Sequence, residues 1–346
     1  MRLLEYRHFS LRVIRRSITT CSLFAAIIFA VCAQSVTAVE KVTITVSDID
    51  RASAFYSEVL DFIPVASWHL SAEETGQLFG LEDQSVSAQI MQLQLGSERI
   101  ELMQFIGIAG HPIPLDSRSN DLWFQHIAIV VNDMDAAYHR VRSSGAAFVS
   151  TMPQTLPETI PAAAGITAFY FRDPDGHNLE LIQFPKGKGN SKWQAPHPGE
   201  IFIGIDHTAI GIEQTPAALA FYQDVLGLEI GGRSENFGSE QEHLNQVFGA
   251  YLLITGLHAP QGLGVEFLDY IAPPGGRPYP LASTPWDLWH WHTTLLVRDL
   301  EALYLKLETF GIQTISAQIV QLRDSKVLII RDPDGHALWL EESPSQ

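Results

Sequence analysis

Residues 112–126 read PIPLDSRSNDLWFQH and residues 278–292 read PYPLASTPWDLWHWH, so two prolines and then Leu, Ser, Asp, Leu, Trp and His recur at identical spacing in two distant parts of one chain. A second pair follows the same rule: RDPDGHNLELIQF at 172–184 is answered by RDPDGHALWLEES at 331–343. Paired repeats of this length mark a tandem duplication, and the repeat unit bounds the fold before any single element is read.

Each half divides again. KVTITVSDIDRASAFYSEVLDF from Lys41 and HTAIGIEQTPAALAFYQDVLGL from His207 open the halves, while HIAIVVNDMDAAYHRVRSSGA from His126 and HTTLLVRDLEALYLKLETFGI from His292 begin their second parts. All four show an alternating apolar strand, an Asp or short turn, and an amphipathic helix closed by Gly or Asp. Further strands follow each helix. They are expected at 93–95 and 100–105, at 169–172 and 179–184, at 251–255 and 264–270, and at 327–330 and 337–341. The Pro-Asp-Gly of DPDGH suits a tight turn, because Pro fixes one dihedral and Gly accepts positive φ. The chain is therefore α+β, with four βαβββ modules. Modules 39–111 and 122–185 make the first half, residues 39–185. Residues 186–203, rich in Pro, Gly and Lys, form a linker, and modules 204–272 and 288–343 make the second half, residues 204–346.

The N-terminus is set apart as a signal peptide, residues 1–38. Arg2, Arg7, Arg12, Arg15 and Arg16 make a basic start, residues 21–33 are apolar and uncharged, and Val36-Thr37-Ala38 offers small residues before a cut at Val39. The apolar run is shorter than the roughly 20 residues of a membrane span. The mature chain is expected to be periplasmic or secreted, free of the membrane. Cys21 and Cys32 both lie in the removed segment, which excludes cysteine nucleophiles, thiolate metal sites and redox switching from the mature protein. The whole chain carries 22 Lys and Arg against 39 Asp and Glu, a net charge of −17, so nucleic acid and anionic membranes are poor partners.

Repeated βαβββ modules, a His opening the strand, a Phe-Tyr pair in the helix, Leu-Gly-Leu at its end and a closing D-P-D-G-x-x-x-E strand resemble the vicinal oxygen chelate superfamily, which includes glyoxalase I, the bleomycin resistance proteins and the extradiol dioxygenases. The third module resembles glyoxalase I most, through His207, Thr208, Ile210, Ile212, Ala218, Phe221, Tyr222, Leu226, Gly227 and Leu228. The resemblance spans essentially the whole mature chain. It implies modules pairing into two curved, mostly antiparallel sheets, with a divalent ion on a concave face held by one first-strand ligand and one last-strand Glu from each of two modules.

Carried over by position, the first-strand sites are Lys41, His126, His207 and His292, and the last-strand sites are Glu101, Glu180, Glu266 and Trp339. Strand alternation agrees, placing Ala128 beside His126, and Ala209 and Gly211 beside His207, which leaves room at each imidazole. If neighbouring modules pair, each site lacks one ligand. If the second pairs with the third and the first with the fourth, His126, Glu180, His207 and Glu266 form a complete set, and Lys41, Glu101, His292 and Trp339 a degenerate site in which Glu101 and His292 are the surviving ligand types. The complete set is the expected arrangement, although the intact DLWxxH context of His292 speaks for the other. Zn, Ni, Mn and Fe(II) all suit imidazole with carboxylate, and the sequence does not choose among them.

The blander uses of these residues are a structural histidine on a strand, solvent-facing acids at Glu101 and Glu266, turn duty for His177 and His336, and packing for Trp123, Trp286, Trp289 and Trp291. Against them stands the expectation of one divalent ion and a small-molecule substrate, with Glu180 or Glu266 as the catalytic base of a glyoxalase-like lyase or isomerase. An extradiol-type Fe(II) dioxygenase and a non-catalytic, resistance-type binding protein are the alternatives. A monomer is compatible with all three.

Overall fold

The computed structural model describes residues 35–81 and 85–343, so residues 1–34 of the expected signal peptide lie outside the described residues. The first module comprises β1 (Val36–Thr45), α1 (Ile49–Leu60), β2 (Ile63–Leu70), α2 (Ala72–Phe79), β3 (Ser87–Leu95) and β4 (Glu98–Ile106). The second has β5 (Gln125–Val131), α3 (Met134–Ser143), two short strands β6 (Ala147–Phe148) and β7 (Gln154–Thr155), then β8 (Thr167–Arg172) and β9 (Asn178–Gln183). The third runs through β10 (Phe202–Ile212), α4 (Thr215–Tyr222), β11 (Glu229–Phe237), α5 (Ser239–Asn245), β12 (Tyr251–His258), β13 (Gln261–Gly262) and β14 (Gly264–Ala272). The fourth closes with β15 (Trp291–Val297), α6 (Leu300–Phe310), β16 (Val320–Leu322), β17 (Ser325–Arg331) and β18 (Ala337–Glu342).

Each first helix starts where a side chain satisfies its orphan N–H groups. Asp48, Asp133 and Asp299 are N-caps that accept from Arg51, Ala136 and Ala302. The third module has Gln214 at that place and no side-chain cap; Pro216 removes one donor, and Asp269 of β14 accepts from the Thr215 N–H at 2.9 Å.

Two curved mixed sheets result, in the orders β16-β17-β18-β15-β1-β4-β3-β2 and β11-β12-β14-β10-β5-β9-β8-β6. Each draws one module from each half, pairing first with fourth and second with third. In both, antiparallel pairing of opening strands, β1 with β15 and β10 with β5, makes the seam. Alternation then sorts every central strand. Val42 and Ile44, Ile127 and Ile129, Leu179 and Leu181, Val265 and Phe267, and Leu338 and Leu340 enter one apolar core with side chains of α1, α3, α4 and α6. Lys41, His126, Glu180, Glu266 and Trp339 are left on the opposite, concave faces. The expected cut at Val39 falls inside β1: Val36 is fully buried and its N–H donates to Leu226 O at 3.2 Å, so residues 36–38 belong to the sheet.

The two DPDGH turns hold the sheets together. Asp173 accepts from the N–H groups of Asp175 and His177, both at 2.9 Å, and its second oxygen lies 2.8 Å from His177 Nδ1. His177 Nε2 then reaches Leu288 O of the first-fourth pair at 2.7 Å. The second copy repeats the backbone part, Asp332 accepting from the N–H groups of Asp334 and His336 at 3.0 and 2.8 Å, with His336 Nε2 on Gly211 O at 2.8 Å and Tyr222 OH donating to Asp332 at 2.9 Å. With a carboxylate on one side and a carbonyl on the other, both ring nitrogens of His177 act as donors, which is the imidazolium form. Burial opposes that charge, but Asp173, Asp175 and the Leu288 carbonyl outweigh it and raise the His177 pKa. The stabilisation is therefore complete below the unfolded-state pKa of about 6.5. It is lost as pH rises through the higher folded value. The denaturation midpoint of the parent chain should exceed that of His177→Gln by a margin that shrinks between pH 6 and pH 9; a margin independent of pH would refute the charged form.

The repeated DLWxxH stretches are the connections between modules. Asp121 takes two bonds from the Arg277 guanidinium, at 3.0 and 2.7 Å, and Asp287 takes the His111 N–H at 2.8 Å. Trp123 and Trp289 each donate to a serine six residues back, Ser117 and Ser283. The motif is thus the buried end of each of two connections that bond to one another, which gives it a structural use before His292 whatever that imidazole does.

Candidate metal centre

On the concave face of the second-third sheet, His126 of β5 and Glu180 of β9 come from neighbouring parallel strands, while His207 arrives from β10 across the seam. Glu180 Oε2 lies 3.1 Å from His126 Nε2 and 3.7 Å from His207 Nε2. Glu266 of β14 stands 3.7 Å from His207 Nε2 on the other side. Of the four residues expected to form the complete set, His126, Glu180 and His207 can offer one donor each to a single point, and Glu266 flanks that triad. His126, Glu180 and His207 are buried, whereas the Glu266 side chain is 25 % exposed.

Glu180, His207 and Glu266 line a cavity of about 260 Å³ together with Tyr170, with apolar walls that include Ile166, Leu252 and Ile254; His126 is buried and does not line it. Burial pushes the Tyr170 hydroxyl well above its usual pKa, with Glu180 adding to the effect, so it faces the cavity as a neutral O–H. Burial also lowers the His126 pKa, against the pull of Glu180. For His207 burial acts downward too, but Glu266, Asp206 and Glu180 outweigh it and carry the ring up to about 10. Burial raises Glu266 to about 7. Three carboxylates around one imidazole thus draw a positive charge into the cleft.

A divalent ion fits what is present. His207 Nε2 is buried without a hydrogen-bond partner, and His126 Nε2, although 3.1 Å from Glu180 Oε2, does not meet it in hydrogen-bonding geometry; an unsatisfied buried group usually costs about 1–3 kcal/mol. Two imidazoles with carboxylates are a donor set for Zn, Ni, Mn or Fe(II). His207 is also oriented from behind. Its Nδ1 is 3.0 Å from Asp206 Oδ2, and Asp206 Oδ1 accepts from Trp193 Nε1 at 2.5 Å. Neither partner is evident in sequence. Adjacent strand residues point to opposite faces, and only the register shift between Ile205 and Thr208 turns Asp206 toward its neighbour. Trp193 sits in the segment expected to be a plain linker, where a short 3-10 turn (Ser191–Gln194) buries it beside Ala128, Ile182 and Ile203.

The expected space at Gly211 has a different use. A Cβ there would meet the Asp121 carbonyl at 2.9 Å, so this glycine admits the connecting segment and leaves nothing for an ion. The tryptophans of the DLW repeats lie outside the cavity.

The first-fourth sheet carries the other aligned positions in a closed form. Lys41 Nζ lies 2.7 Å from Glu101 Oε1, and Thr43 donates to Glu101 Oε2 at 3.1 Å. Glu101 is buried, against the solvent-facing alternative. Trp339 stacks on His292 with centroids 5.2 Å apart, and burial, helped by the Lys41 charge, lowers the His292 pKa to about 3. Phe79, Ile90, Met103, Ile329 and Trp339 fill this concavity. An ammonium stands where the second-third sheet has an imidazole, and an indole where it has a carboxylate.

Comparison with known proteins gives one family and two kinds of relative. A family model described as the glyoxalase/bleomycin resistance protein/dioxygenase superfamily matches residues 38–181 and 204–340. A 2-epi-5-epi-valiolone epimerase from Actinomyces is 32% identical over 155 residues, 43% of this chain and 81% of the epimerase. Glyoxalase I of Saccharomyces cerevisiae is 28% identical over 113 residues, 33% of this chain and 31% of the yeast enzyme. Among solved structures, glyoxalase I from Zea mays superposes with a TM-score of 0.55 at 17% identity, covering 87% of this chain and 91% of the maize chain, a likeness of fold.

Proposed function

The chain belongs to the glyoxalase/bleomycin resistance protein/dioxygenase superfamily, and from that premise we propose that it is an exported, metal-dependent lyase or isomerase acting on a small substrate with two neighbouring oxygens. The observation that carries this reading is the convergence of His126, Glu180 and His207, from two modules in different halves, on one another, with Glu180 and His207 lining the cavity and the Nε2 of each imidazole without a hydrogen-bond partner. Similarity to a 2-epi-5-epi-valiolone epimerase and to glyoxalase I supports it. The basic start and apolar run of residues 1–33 support export. A cytosolic glutathione adduct would then be the wrong substrate.

His126, Glu180 and His207 would hold the ion, with Glu266 as a fourth group. The ion, when bound, supplies Lewis acidity that stabilises negative charge developing on substrate oxygen. Glu266 is the better base of the two acids. Glu180 is held between both imidazoles, whereas Glu266 approaches only His207 and is the more open to the cavity. Its carboxylate takes a proton from the carbon beside the carbonyl, the electron pair of that C–H bond passing to the carbonyl oxygen, and returns it to the neighbouring carbon on the same face. No oxidant is consumed. Tyr170 donates a hydrogen bond to the substrate, and the apolar walls exclude water.

Asp206 is expected to hold His207 in the Nδ1–H form so that Nε2 faces the cavity. Asp206→Asn should weaken Co(II) or Zn(II) binding roughly 10–100-fold while leaving the melting temperature close to the parent value; unchanged affinity would remove Asp206 from this role. The proposal as a whole is tested by incubating Zn-, Ni- or Mn-loaded protein in D₂O with 2-hydroxyketones and cyclitol ketones. Deuterium entering beside the carbonyl, absent without metal, supports it, and no exchange with any ion contradicts it.

A second reading is favoured by the same triad. Two His and one carboxylate, with Glu266 outside, is the ligand set of non-haem Fe(II) oxygenases. Tyr170, Asp173, Pro174, Gly176 and Glu180 resemble the end of the extradiol signature, but the His that should shortly precede them is absent. Oxygen uptake with Fe(II) and a catechol would establish this reading in place of proton transfer.

A further inference from the structure

Away from Glu180 and Glu266, the cavity ends against β11 and α5 in a short chain of neutral polar groups. Ser234 Oγ donates to Asn236 Oδ1, and Asn236 Nδ2 donates to Gln241 Oε1 at 2.9 Å. The chain stops there. Gln241 is 2 % exposed and lines the cavity, and among the described residues its Nε2 donates to no protein acceptor. An amide whose N–H groups have no protein acceptor, on the wall of a cavity, is a place where a ligand oxygen would be held.

The floor between the two ends is cleared of side chains. Glu266 pairs with Gly256 on β12, and Gly256 with Gly232 on β11. A Cβ added at Gly232 would meet nothing within 4 Å, so the floor is open on that side. Two interstrand steps separate Glu266 from β11, roughly 10 Å at about 4.8 Å per step. A cavity of about 260 Å³ over that span has room for a small ligand.

Resting on the metal-dependent reading above, we propose that the substrate is a small, neutral, hydroxylated molecule that presents its paired oxygens at the histidine end and a remote hydroxyl to Gln241. A hydroxyl suits this end because it donates and accepts, so it satisfies the terminal amide in either orientation. A carboxylate or phosphate does not suit it. The end at Gln241 carries no buried cation, Arg233, the one Lys or Arg on the described cavity wall, is exposed, and the chain as a whole is strongly acidic.

Three hydroxamic acids test this, each able to chelate a bound ion through two oxygens and differing only in a cyclohexyl tail that is plain, hydroxylated or carboxylated. Their affinities for Zn-loaded protein are measured by calorimetry with the parent chain, Gln241→Leu and Gln241→Met. The hydroxylated probe should bind about tenfold more tightly than the plain one, the worth of one well-made buried hydrogen bond. That preference should vanish in whichever variant folds, with zinc content unchanged. Equal binding of all three to zinc-loaded parent protein, tightest binding of the carboxylate, or a preference that survives loss of Gln241 overturns the proposal while leaving the metal reading intact. A parent chain that retains no zinc and binds none of the probes overturns both.

Discussion

Glu180→Ala should leave the fold intact and cost at least about a thousandfold in turnover, roughly 4 kcal/mol of transition-state stabilisation, together with loss of the bound ion on dialysis. Glu180 is the carboxylate that both imidazoles approach, at 3.1 and 3.7 Å. Without it the centre keeps two neutral-capable nitrogens on rings 5.8 Å apart between centroids and one flanking acid. Glu266→Gln should behave differently. If Glu266 is the base, its amide cannot take the proton, so turnover falls while the ion, held by the His126, Glu180 and His207 triad, is kept. The pair of variants read together by metal analysis and deuterium exchange separates holding the ion from moving the proton. Equal metal loss in both would merge the two roles and deny Glu266 its own.

Lys41→Met should destabilise the chain by roughly 3–5 kcal/mol, because it strands the Glu101 carboxylate without its cation in a filled apolar concavity. The double change Lys41→Met with Glu101→Met should recover most of that loss, since a buried ion pair is commonly matched by apolar residues of similar volume. Neither should alter the metal content of the second-third sheet. Equilibrium urea unfolding of the two variants measures this directly. A single variant as stable as the parent would mean that Glu101 finds water or another donor, and that the ammonium is not what offsets its burial.

The repeats made most of this architecture legible. Alternation in HIAIVV and HTAIGI marks the concave positions because each strand is buried on both faces, with the bulky Ile side chains on the core face and His with small residues on the other. The pairing of second with third module was a choice between two arrangements on chemical grounds, and the antiparallel seam of β10 with β5 settles it. What could not be read is where periodicity breaks. Strand β2, IPVASWHL, is almost wholly exposed at a sheet edge, so it carries no inside-outside signal. Helix α2 is only eight residues long, marked by the Ser71–Glu74 capping box. The Asp206–His207 bulge and the burial of Trp193 depend on contacts across the fold, and Gln241 enters the cavity from a seven-residue helix. The polar supports of the site therefore had no periodic trace, whereas its candidate ligands, fixed to regular strands, did.

The account stands on an ion seated between two modules from different halves of the chain. Anomalous scattering from crystals of the Mn- or Zn-loaded protein, collected at the metal edge, tests this most directly. One peak within coordination distance of His126 Nε2, His207 Nε2 and Glu180 Oε2 is the result expected, with Lys41 still on Glu101 and no peak beside His292. A peak at the first-fourth sheet instead, or a loaded crystal with no peak at the triad, would contradict it.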